Sequence, residues 1–379
     1  MEWAPLKGIR VLEVGHIVAG PFGGMILADL GAEVIKVENP SGGDSTRNPR
    51  SRGLFYSLNR NKKSITINLA DPSGRDRFLE VVARSDVLIE NLGPGIVEKL
   101  KIDYKSVCQV NPGIVYCSIK GFLPGPYAHR PLVDEMAQMM GGLAYMTGPP
   151  GNPMRAGTSI IDMGAATFGV IGILVALLQR ERTGKGQHVI AGMFETAAFW
   201  MARYMAEYQL SGETPLPFPA QGMALRMRWE VYDRFKTADS KEVIIACTND
   251  KHWNAFCNAL GLDDWKSDPR LLDKERRLQA RDWLLPAIQE AVKKYDAREL
   301  LEVLDKNGVP IAPVNTPADL IVDHHLVNSG QLLSLDVDGR QLVLPNLPVC
   351  NPSSERLKRC QAPDLGEHTD EVAAKSRGG

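Results

Sequence analysis

The sequence predicts a large α/β domain, built on an open Rossmann-like parallel sheet, together with a smaller α/β domain. Short apolar runs typical of buried strands recur through the first 120 residues. Segments with helical periodicity separate these runs, and strands that alternate with helices form parallel sheets covered by helices. The segment 213–222 is rich in proline and glycine, which is typical of a boundary between domains.

The first strand–helix–strand unit is predicted near the N-terminus. Residues 8–14 form an apolar run, and residues 22–30 have the pattern of a helix that Gly31 terminates. Residues 32–37 form a second apolar run. A strand, a helix and a strand in this order make a βαβ unit, so we expect the two strands to be parallel.

The same pattern predicts three further strands, at residues 64–69, 86–90 and 114–119. Asp71 can cap the helix that follows the first of them, with Pro72 in its first turn. Ligands of open α/β sheets bind beyond the carboxyl ends of the strands. We therefore expect four loops at one rim of the sheet: 16–20, 38–47, 67–71 and 91–95.

The rest of the chain is predicted to form two long helices, a small domain and a returning segment. The helices lie at 163–181 and 193–210, with a strand at 188–191 between them. Beyond the boundary, a strand at 241–246 and helices at 253–260 and within 275–305 indicate the small domain. The predicted divisions are a large domain at 1–215, a small domain at 216–319 and a C-terminal segment at 320–379 that returns to the large domain.

The composition argues against nucleic-acid and membrane partners. The chain has 44 basic and 45 acidic residues, a net charge of −1, so it has no basic excess for nucleic acid. No apolar run reaches the roughly 18–20 residues of a membrane span. The N-terminus has no secretory-signal pattern. We therefore expect a cytoplasmic protein.

Two site types are disfavoured by their missing motifs. None of the six cysteines forms a CxxC pair, which argues against a zinc site and suggests reduced thiols. The first βα turn reads GHIVAG at residues 15–20 and lacks the G-x-G-x-x-G fingerprint. A Rossmann-type dinucleotide enzyme is therefore a weak alternative.

A series of short strings spreads over the chain in a specific order and spacing. They include GIRVLE at 8–13, LGAEVIKVE at 30–38, NKKSI at 61–65, GTSIID at 157–162 and GVPIAPV at 308–314. In these strings the chain resembles the class III, or CaiB/BaiF-like, CoA-transferase family. That family includes formyl-CoA transferase, carnitine CoA-transferase and the α-methylacyl-CoA racemases. The resemblance runs from about residue 6 to residue 347.

The resemblance implies that Asp162 is the catalytic nucleophile. A carboxylate can attack a thioester to give a mixed anhydride, and the released CoA thiolate can then form an aspartyl-CoA thioester. From the residues alone, the alternative role of Asp162 is to cap the helix that follows it, which is a common role for aspartate. The two roles are compatible, because a helix N-terminus lowers the pKa of a carboxylate and donates N–H groups.

The resemblance also implies which residues contact CoA. They are His16, Ile17, Val18, Ala19, Asn39, Ile67, Asn91, Leu92 and Lys99. Asn39 replaces an arginine of formyl-CoA transferase, and Ala70 replaces a lysine. The phosphates then require other cations. The four candidates are Arg47, Lys62, Lys63 and Lys99, and the alternative for the three lysines is a solvated surface position.

Two departures from the family pattern bear on the reaction. Racemases of the family carry Gly-His-Asp where this chain has Leu132, Val133 and Asp134, so the histidine base is missing. Asp134 remains a candidate substrate residue. Transfer is therefore favoured, and an acyl-CoA racemase or epimerase and a non-catalytic CoA-binding protein remain as alternatives.

The second departure concerns a run of glycines that many transferases of the family carry between the two domains. The matching segment 220–228 has one glycine and two arginines, Arg226 and Arg228. Arginine binds carboxylates through a bidentate fork. One hypothesis is that one of the pair binds the distal carboxylate of a small dicarboxylic acid, and the alternative is a surface or interface arginine pair.

The resemblance implies an assembly as well as a reaction. The expected assembly is an interlocked homodimer of two ring-like chains, with the active site near the interface. The partners are an acyl-CoA donor and a carboxylic acid acceptor, so CoA is a substrate. No metal and no tightly bound cofactor is implied.

Overall fold

The structure, a computed structural model, describes residues 2–220 and 229–377, with side chains up to residue 374. Contacts divide the chain into two compact units. The first unit takes in Met1–Thr147, Pro153–Pro215 and His324–Gly379. The second takes in Gly148–Asn152 and Leu216–Asp323.

A six-stranded parallel sheet forms the centre of the first unit. Its strands are β1 (Arg10–Val14), β2 (Glu33–Glu38), β3 (Lys62–Thr66), β4 (Val87–Glu90), β5 (Val115–Lys120) and β6 (Gln187–Gly192). They lie in the order β3-β2-β1-β4-β5-β6, and every neighbouring pair is parallel. This order is that of a Rossmann fold and confirms the predicted fold class. The order reverses between β1 and β4, so a crevice opens beyond their carboxyl ends.

Helices cover both faces of this sheet. They are α1 (Ala19–Asp29), α2 (Arg52–Asn59), α3 (Pro72–Val82), α4 (Ile96–Leu100), α5 (Tyr104–Val110), α6 (Asp134–Met140), α7 (Leu143–Thr147), α8 (Ile160–Thr183), α9 (Met193–Trp200) and α10 (Ala202–Ser211). Because helices bury both faces, the central strands β1 and β4 are buried along almost their whole length. Gly31, at φ +98°, follows α1 as predicted. Asp71 precedes α3 but makes no side-chain capping bond.

Helix α8 is longer and more apolar than the sequence analysis allowed. It has 24 residues and an 18-residue window of mean hydropathy 2.2, which by length and composition is sufficient to cross a membrane. Half of that window is buried inside the protein, where α8 packs on α1, β5 and β6. A core helix passes the same test, so α8 is weak evidence for a membrane span.

The second unit has its own sheet and core. Strands β7 (Val231–Lys236), β8 (Glu242–Cys247) and β9 (Ile311–Pro313) are antiparallel. The helices are α11 (Asp250–Ala259), α12 (Asp263–Ser267), α13 (Lys274–Gln279), α14 (Arg281–Val292), α15 (Ala297–Lys306) and α16 (Pro317–Ile321). They bury an apolar cluster that includes Trp253 and Phe256. The segment predicted as two helices forms three, because Ala280 interrupts it between α13 and α14.

The chain then returns to the first unit through α17 (His324–Asn328), the hairpin of β10 (Leu332–Val337) with β11 (Arg340–Pro345), and α18 (Thr369–Arg377). Its last part covers β3, the edge strand of the large sheet. The backbone N–H of His368 donates to the carbonyl of Ser64 at 2.9 Å. The N–H of Thr66 donates to the hydroxyl of Thr369 at 3.1 Å. These bonds occupy polar groups that an open edge would leave unpaired.

Candidate active site

Two cavities open beyond the carboxyl ends of the strands. The smaller, of about 290 Å³, lies beyond β1 to β4 and includes Gly43, Asp44 and Ala70 in its lining. The larger, of about 470 Å³, lies beyond β1, β4, β5 and β6 and reaches the first turns of α6 and α8. His16 and Leu92 line both cavities. The cavities therefore meet beside the crevice where the strand order reverses.

The residues singled out from the sequence are distributed over these cavities. The smaller is lined by His16, Asn39, Ile67 and Leu92. The larger is lined by His16, Ile17, Val18, Ala19, Asn91, Leu92, Asp134 and Asp162. Lys99 is exposed and lines neither. Arg226 and Arg228 lie outside the described residues.

Asp162 is the third residue of α8, where the helix meets the larger cavity. The carboxylate of Asp134 accepts hydrogen bonds from the backbone N–H groups of Ile161, at 2.8 Å, and of Asp162 itself, at 3.1 Å. Ser159, at the N-cap position, makes no side-chain capping bond. Helix α8 is therefore capped by a residue of α6, and the interpretation of Asp162 as the cap is wrong.

The pKa of Asp162 moves in the direction opposite to the expectation from the helix N-terminus. Burial raises the pKa of this carboxyl group to about 7, and the charge of Asp134 adds to the shift. Desolvation and a neighbouring like charge both disfavour the ionised form. The helix N–H groups that would lower the pKa bind Asp134 instead. The expected lowering was therefore wrong.

Asp134 belongs to a buried hydrogen-bond network that connects three segments. One of its carboxylate oxygens binds the start of α8, and the other accepts a hydrogen bond from the amide of Gln138 at 2.5 Å. The carbonyl oxygen of the Gln138 amide accepts from the N–H of Ala156 at 2.7 Å. Both Asp134 oxygens are thus bonded within the protein. This network fixes the position of α8 and of the segment just before it.

The turn of His16 and Ile17 is clamped by Asn91. The backbone N–H of His16 donates to the Asn91 Oδ1 at 3.0 Å, and the Asn91 Nδ2 donates to the His16 carbonyl at 3.1 Å. The fit is close, because a Cβ on Gly20 would lie 2.7 Å from the Asn91 Oδ1. Burial lowers the pKa of His16, although the charge of Asp44 opposes the shift.

Three of the four candidate phosphate cations bind acidic groups of the protein. Arg47 forms a fork with Glu38, through bonds of 2.8 and 2.6 Å. Lys62 is fully buried and lies 2.6 Å from Glu13. Lys63 lies 2.9 and 2.7 Å from two glutamates. Charges that are already neutralised in this way are poorly placed to meet a phosphate.

Two arginines that the sequence analysis did not single out line the larger cavity. The guanidinium of Arg155 lies 3.9 Å from Glu135, and both side chains are exposed. The guanidinium of Arg130 stacks over the ring of Tyr127, 4.2 Å from the ring centre. Arg155 stands two residues before the string GTSIID, which is a position that the sequence could have indicated.

The described residues contain no group of three or more His, Cys, Asp or Glu side chains placed to hold a metal ion. The features of the site are thus a half-buried carboxyl group, a clamped turn and two adjacent cavities at the switch point of a Rossmann-like sheet. Together they define an α/β protein of the ligand-binding type that places its site beyond the strand ends.

Comparison with known proteins identifies the family. The family model described as "CoA-transferase family III" matches residues 6–369. The chain therefore belongs to CoA-transferase family III, and it is a CoA-transferase.

Individual relatives cover most of the chain. It is 37% identical to acetyl-CoA:oxalate CoA-transferase of Acetobacter aceti over 326 residues, which are 82% of this chain and 80% of the relative. It is 33% identical to succinate–glutarate CoA-transferase of Agrobacterium fabrum, covering 98% and 95% of the two chains. The crystal structure of a CaiB/BaiF family protein from Brucella suis matches with a TM-score of 0.88 at 34% identity, covering 98% of this chain and 99% of that one.

Proposed function

We propose that the protein moves CoA from an acyl-CoA thioester to a free carboxylic acid, with Asp162 as the nucleophile. The observation that carries this proposal is the position of Asp162. Its carboxyl group lies at the start of α8 and lines a cavity of about 470 Å³, and His16 and Leu92 line both this cavity and the smaller one. A long thioester can then place its reacting carbonyl at Asp162 while its nucleotide end extends along the strand ends.

The first half of the reaction forms an aspartyl-CoA thioester. A carboxylate oxygen of Asp162 attacks the thioester carbonyl, the C–S bond breaks, and a mixed anhydride and CoA thiolate result. The thiolate then attacks the Asp162 carbonyl carbon, and the donor acid leaves as its carboxylate. Covalent catalysis of this kind divides one difficult exchange into smaller steps.

The second half repeats these steps with the acceptor. The acceptor carboxylate attacks the Asp162 carbonyl carbon and displaces CoA thiolate, which gives a second mixed anhydride. The thiolate attacks the acceptor's acyl carbon, a new acyl-CoA forms, and the Asp162 carboxylate is regenerated. No net proton is taken up or released, so only the ionised form of Asp162 is required.

The smaller cavity is proposed to take part of the CoA nucleotide. Its lining combines the apolar side chains of Val37, Ile67, Leu69 and Ile96 with the polar Asn39. An adenine ring favours an apolar slot of this kind, because its faces are poorly hydrated. His16, Ile17, Val18, Ala19, Asn91 and Leu92 are proposed to border the pantetheine end, and Lys99 to meet a phosphate from outside the cavity.

We propose a small dicarboxylic acid as the acceptor. The two curated relatives named above act, by their names, on oxalate and on succinate and glutarate, which are all dicarboxylates. The cavity at Asp162 has guanidinium groups in its lining, at Arg130 and Arg155. Among the described residues, the one ion pair of Arg155 is with Glu135, at 3.9 Å and exposed to solvent, so a substrate carboxylate can compete for it.

A racemase on this fold is disfavoured by Val133. This residue occupies the place of the family's histidine base, lines the larger cavity and is 60% exposed. An apolar side chain at this place cannot take the α-proton of an acyl group. His129 does not line the cavity.

The proposal includes an interlocked homodimer in the cytoplasm. Support for a partner comes from the outer face of α8, where Phe168, Ile171, Val175 and Leu178 are exposed. Phe199 of α9 stacks edge-on against Phe168 and is also exposed. An apolar patch of this kind commonly marks an interface. Light scattering on the eluting chromatographic peak should give twice the chain mass of 41.6 kDa.

The central experiment traps the covalent intermediate. The enzyme is incubated in heavy water with acetyl-, succinyl- or glutaryl-CoA and quenched with hydroxylamine, and its peptides are analysed by mass spectrometry. A hydroxamate on Asp162, absent from the peptide that carries Asp134, is the expected result. The donor that labels best identifies the substrate class. An unlabelled Asp162 with deuterium at the acyl α-carbon would replace this proposal with racemisation.

A further inference from the structure

Four charged side chains form a continuous ionic chain inside the first unit: Lys62, Glu13, Lys36 and Asp44. The Lys62 Nζ lies 2.6 Å from one oxygen of Glu13, and the Lys36 Nζ lies 2.9 Å from the other. The same Nζ of Lys36 lies 2.9 Å from the carboxylate of Asp44. All four side chains have 0% exposure.

The ionic chain is held by further polar contacts. Lys62 donates to the carbonyl of Pro21 at 2.8 Å and to the side chain of Asn59 at 2.9 Å. Glycine at position 24 makes room for Glu13, since a Cβ there would lie 2.0 Å from its carboxylate. Burying ions costs several kcal/mol per ion. Replacing buried ion pairs with apolar residues of similar volume often leaves a protein as stable or makes it more stable. Stability alone is therefore a weak reason for four buried charges.

The ionic chain ends at the turn that separates the two cavities. The backbone N–H of Ile17 lies 3.3 and 3.4 Å from the two carboxylate oxygens of Asp44. The Lys36 Nζ donates to the carbonyl of Gly15 at 2.8 Å. One pair of buried charges thus holds the backbone on both sides of His16.

The backbone of Ile17 needs such support. Its φ is +65°, in the left-handed region, which is unfavourable for a β-branched residue. The Ile17 side chain is 44% exposed, so packing does little to hold this conformation. The Asp44 carboxylate is itself fixed, because it accepts bonds from the N–H and hydroxyl of Thr46 at 2.9 and 2.7 Å.

We propose that Asp44, fixed by Lys36, is a positioning residue for CoA transfer. It holds Ile17 in the left-handed conformation, and this conformation shapes the turn of residues 16–19 against which the thioester binds. The inference rests on the proposed place of the thioester in the two cavities. Asp44 itself does not touch the reacting atoms.

The test is a double-mutant cycle between Asp44→Asn and Ile17→Gly. Asparagine keeps the volume of Asp44 but removes its charge, so the hold on Ile17 weakens. We expect KM for the acyl-CoA donor to rise about 10- to 100-fold, the range for losing a charged hydrogen bond, with little change in kcat. Glycine adopts a positive φ freely, so Asp44→Asn should raise KM much less when residue 17 is glycine.

Two further measurements separate positioning from general damage. Thr46→Val removes one bond to Asp44 but leaves the charge that holds the Ile17 N–H, so KM should rise much less than in Asp44→Asn. Amide hydrogen exchange of the peptide spanning residues 15–20 should accelerate more in Asp44→Asn than in Thr46→Val. If Asp44→Asn does not fold, Asp44→Glu, which moves the charge by one methylene, takes its place with the same expectation.

The outcomes also distinguish this inference from the proposed function. The inference would be overturned if Asp44→Asn raised KM equally with isoleucine and with glycine at position 17. A decrease in kcat without a rise in KM would also overturn it. Hydroxamate formation on Asp162 of the wild type is independent of either result. If Asp162 is labelled and KM is unchanged in Asp44→Asn, only the positioning role fails.

Discussion

The carboxylate of Asp134 accepts a hydrogen bond, at 3.1 Å, from the backbone N–H of Asp162. The two carboxyl groups thus share the start of one helix, but only that of Asp134 receives its N–H groups. Burial of the site and the charge of Asp134 raise the pKa of Asp162 to about 7. A nucleophile with a raised pKa is also more basic, which favours its attack on a thioester.

The first prediction concerns the pH dependence of activity. Because the nucleophile must be ionised, kcat/KM should rise with pH and level off above an apparent pKa of about 7. Asp134→Asn keeps an acceptor for the helix N–H groups but removes the charge, so it should move this rise to lower pH. Initial rates from pH 5 to 9 test both statements. A rise centred near pH 4 in the wild type would contradict them.

The second prediction concerns the pH dependence of stability. A carboxyl group with a folded-state pKa near 7 binds its proton more tightly in the folded than in the unfolded chain, so the free energy of unfolding falls as pH rises from about 4 to 7. Asp162→Asn removes the titrating carboxyl group, so the variant should not show this fall in the free energy of unfolding. At pH 8 the variant should be more stable than the wild type by on the order of 1–2 kcal/mol, with little difference near pH 4. Urea unfolding at the two pH values measures this, and a less stable variant at pH 8 would refute it.

The third prediction concerns acceptor choice. If Arg155 binds the second carboxylate of the acceptor, Arg155→Gln should lower kcat/KM for dicarboxylates about 10- to 100-fold and leave monocarboxylates nearly unchanged. Steady-state rates with glutarate and butyrate as acceptors provide the comparison. Arg298→Gln, at an exposed position of the second unit, is the control. An equal loss with both acceptors would assign Arg155 a different role.

The fourth prediction concerns the clamp at His16. Gly20→Ala would place a methyl group 2.7 Å from the Asn91 Oδ1, so it should destabilise the fold by about 1–3 kcal/mol and raise KM for the donor. The matched control is Gly53→Ala in α2, where a Cβ meets no atom within 4 Å. That variant should be neutral or slightly stabilising. Thermal unfolding of the two variants tests this prediction. Similar melting temperatures would show that the turn can shift to accommodate the added methyl group.

Much of the fold could be predicted from the sequence, because buried strands and amphipathic helices leave local patterns. The runs that predicted β1, β2, β4 and β5 match the strands to within one or two residues. The start of β3 was missed, since Lys62 and Lys63 resemble a polar loop. Lys62 is nevertheless buried, because Glu13 neutralises it. That pairing links residues 49 positions apart, which no local pattern reveals.

The same limit applies to the candidate site. Asp162 was identified through a short string. The residue that caps its helix was not identified, because Asp134 lies in another helix. The direction of the Asp162 pKa depends on that contact, so the local argument from a helix N-terminus gave the wrong sign. The roles of Asn91 and Asp44 toward the 16–17 turn likewise depend on side chains that meet only in the folded sheet.

The covering of β3 by the returning segment has a consequence for biosynthesis. The partners of Ser64 and Thr66 follow them in the chain by 302 to 304 positions, so the ribosome must add all of these residues before this strand loses its open edge. Until then β3 offers unpaired backbone groups to any neighbouring nascent chain. Shortening the chain to end before residue 366 would make that temporary exposure permanent, and turbidity of the shortened protein during expression or refolding would measure how strongly the last residues protect against self-association.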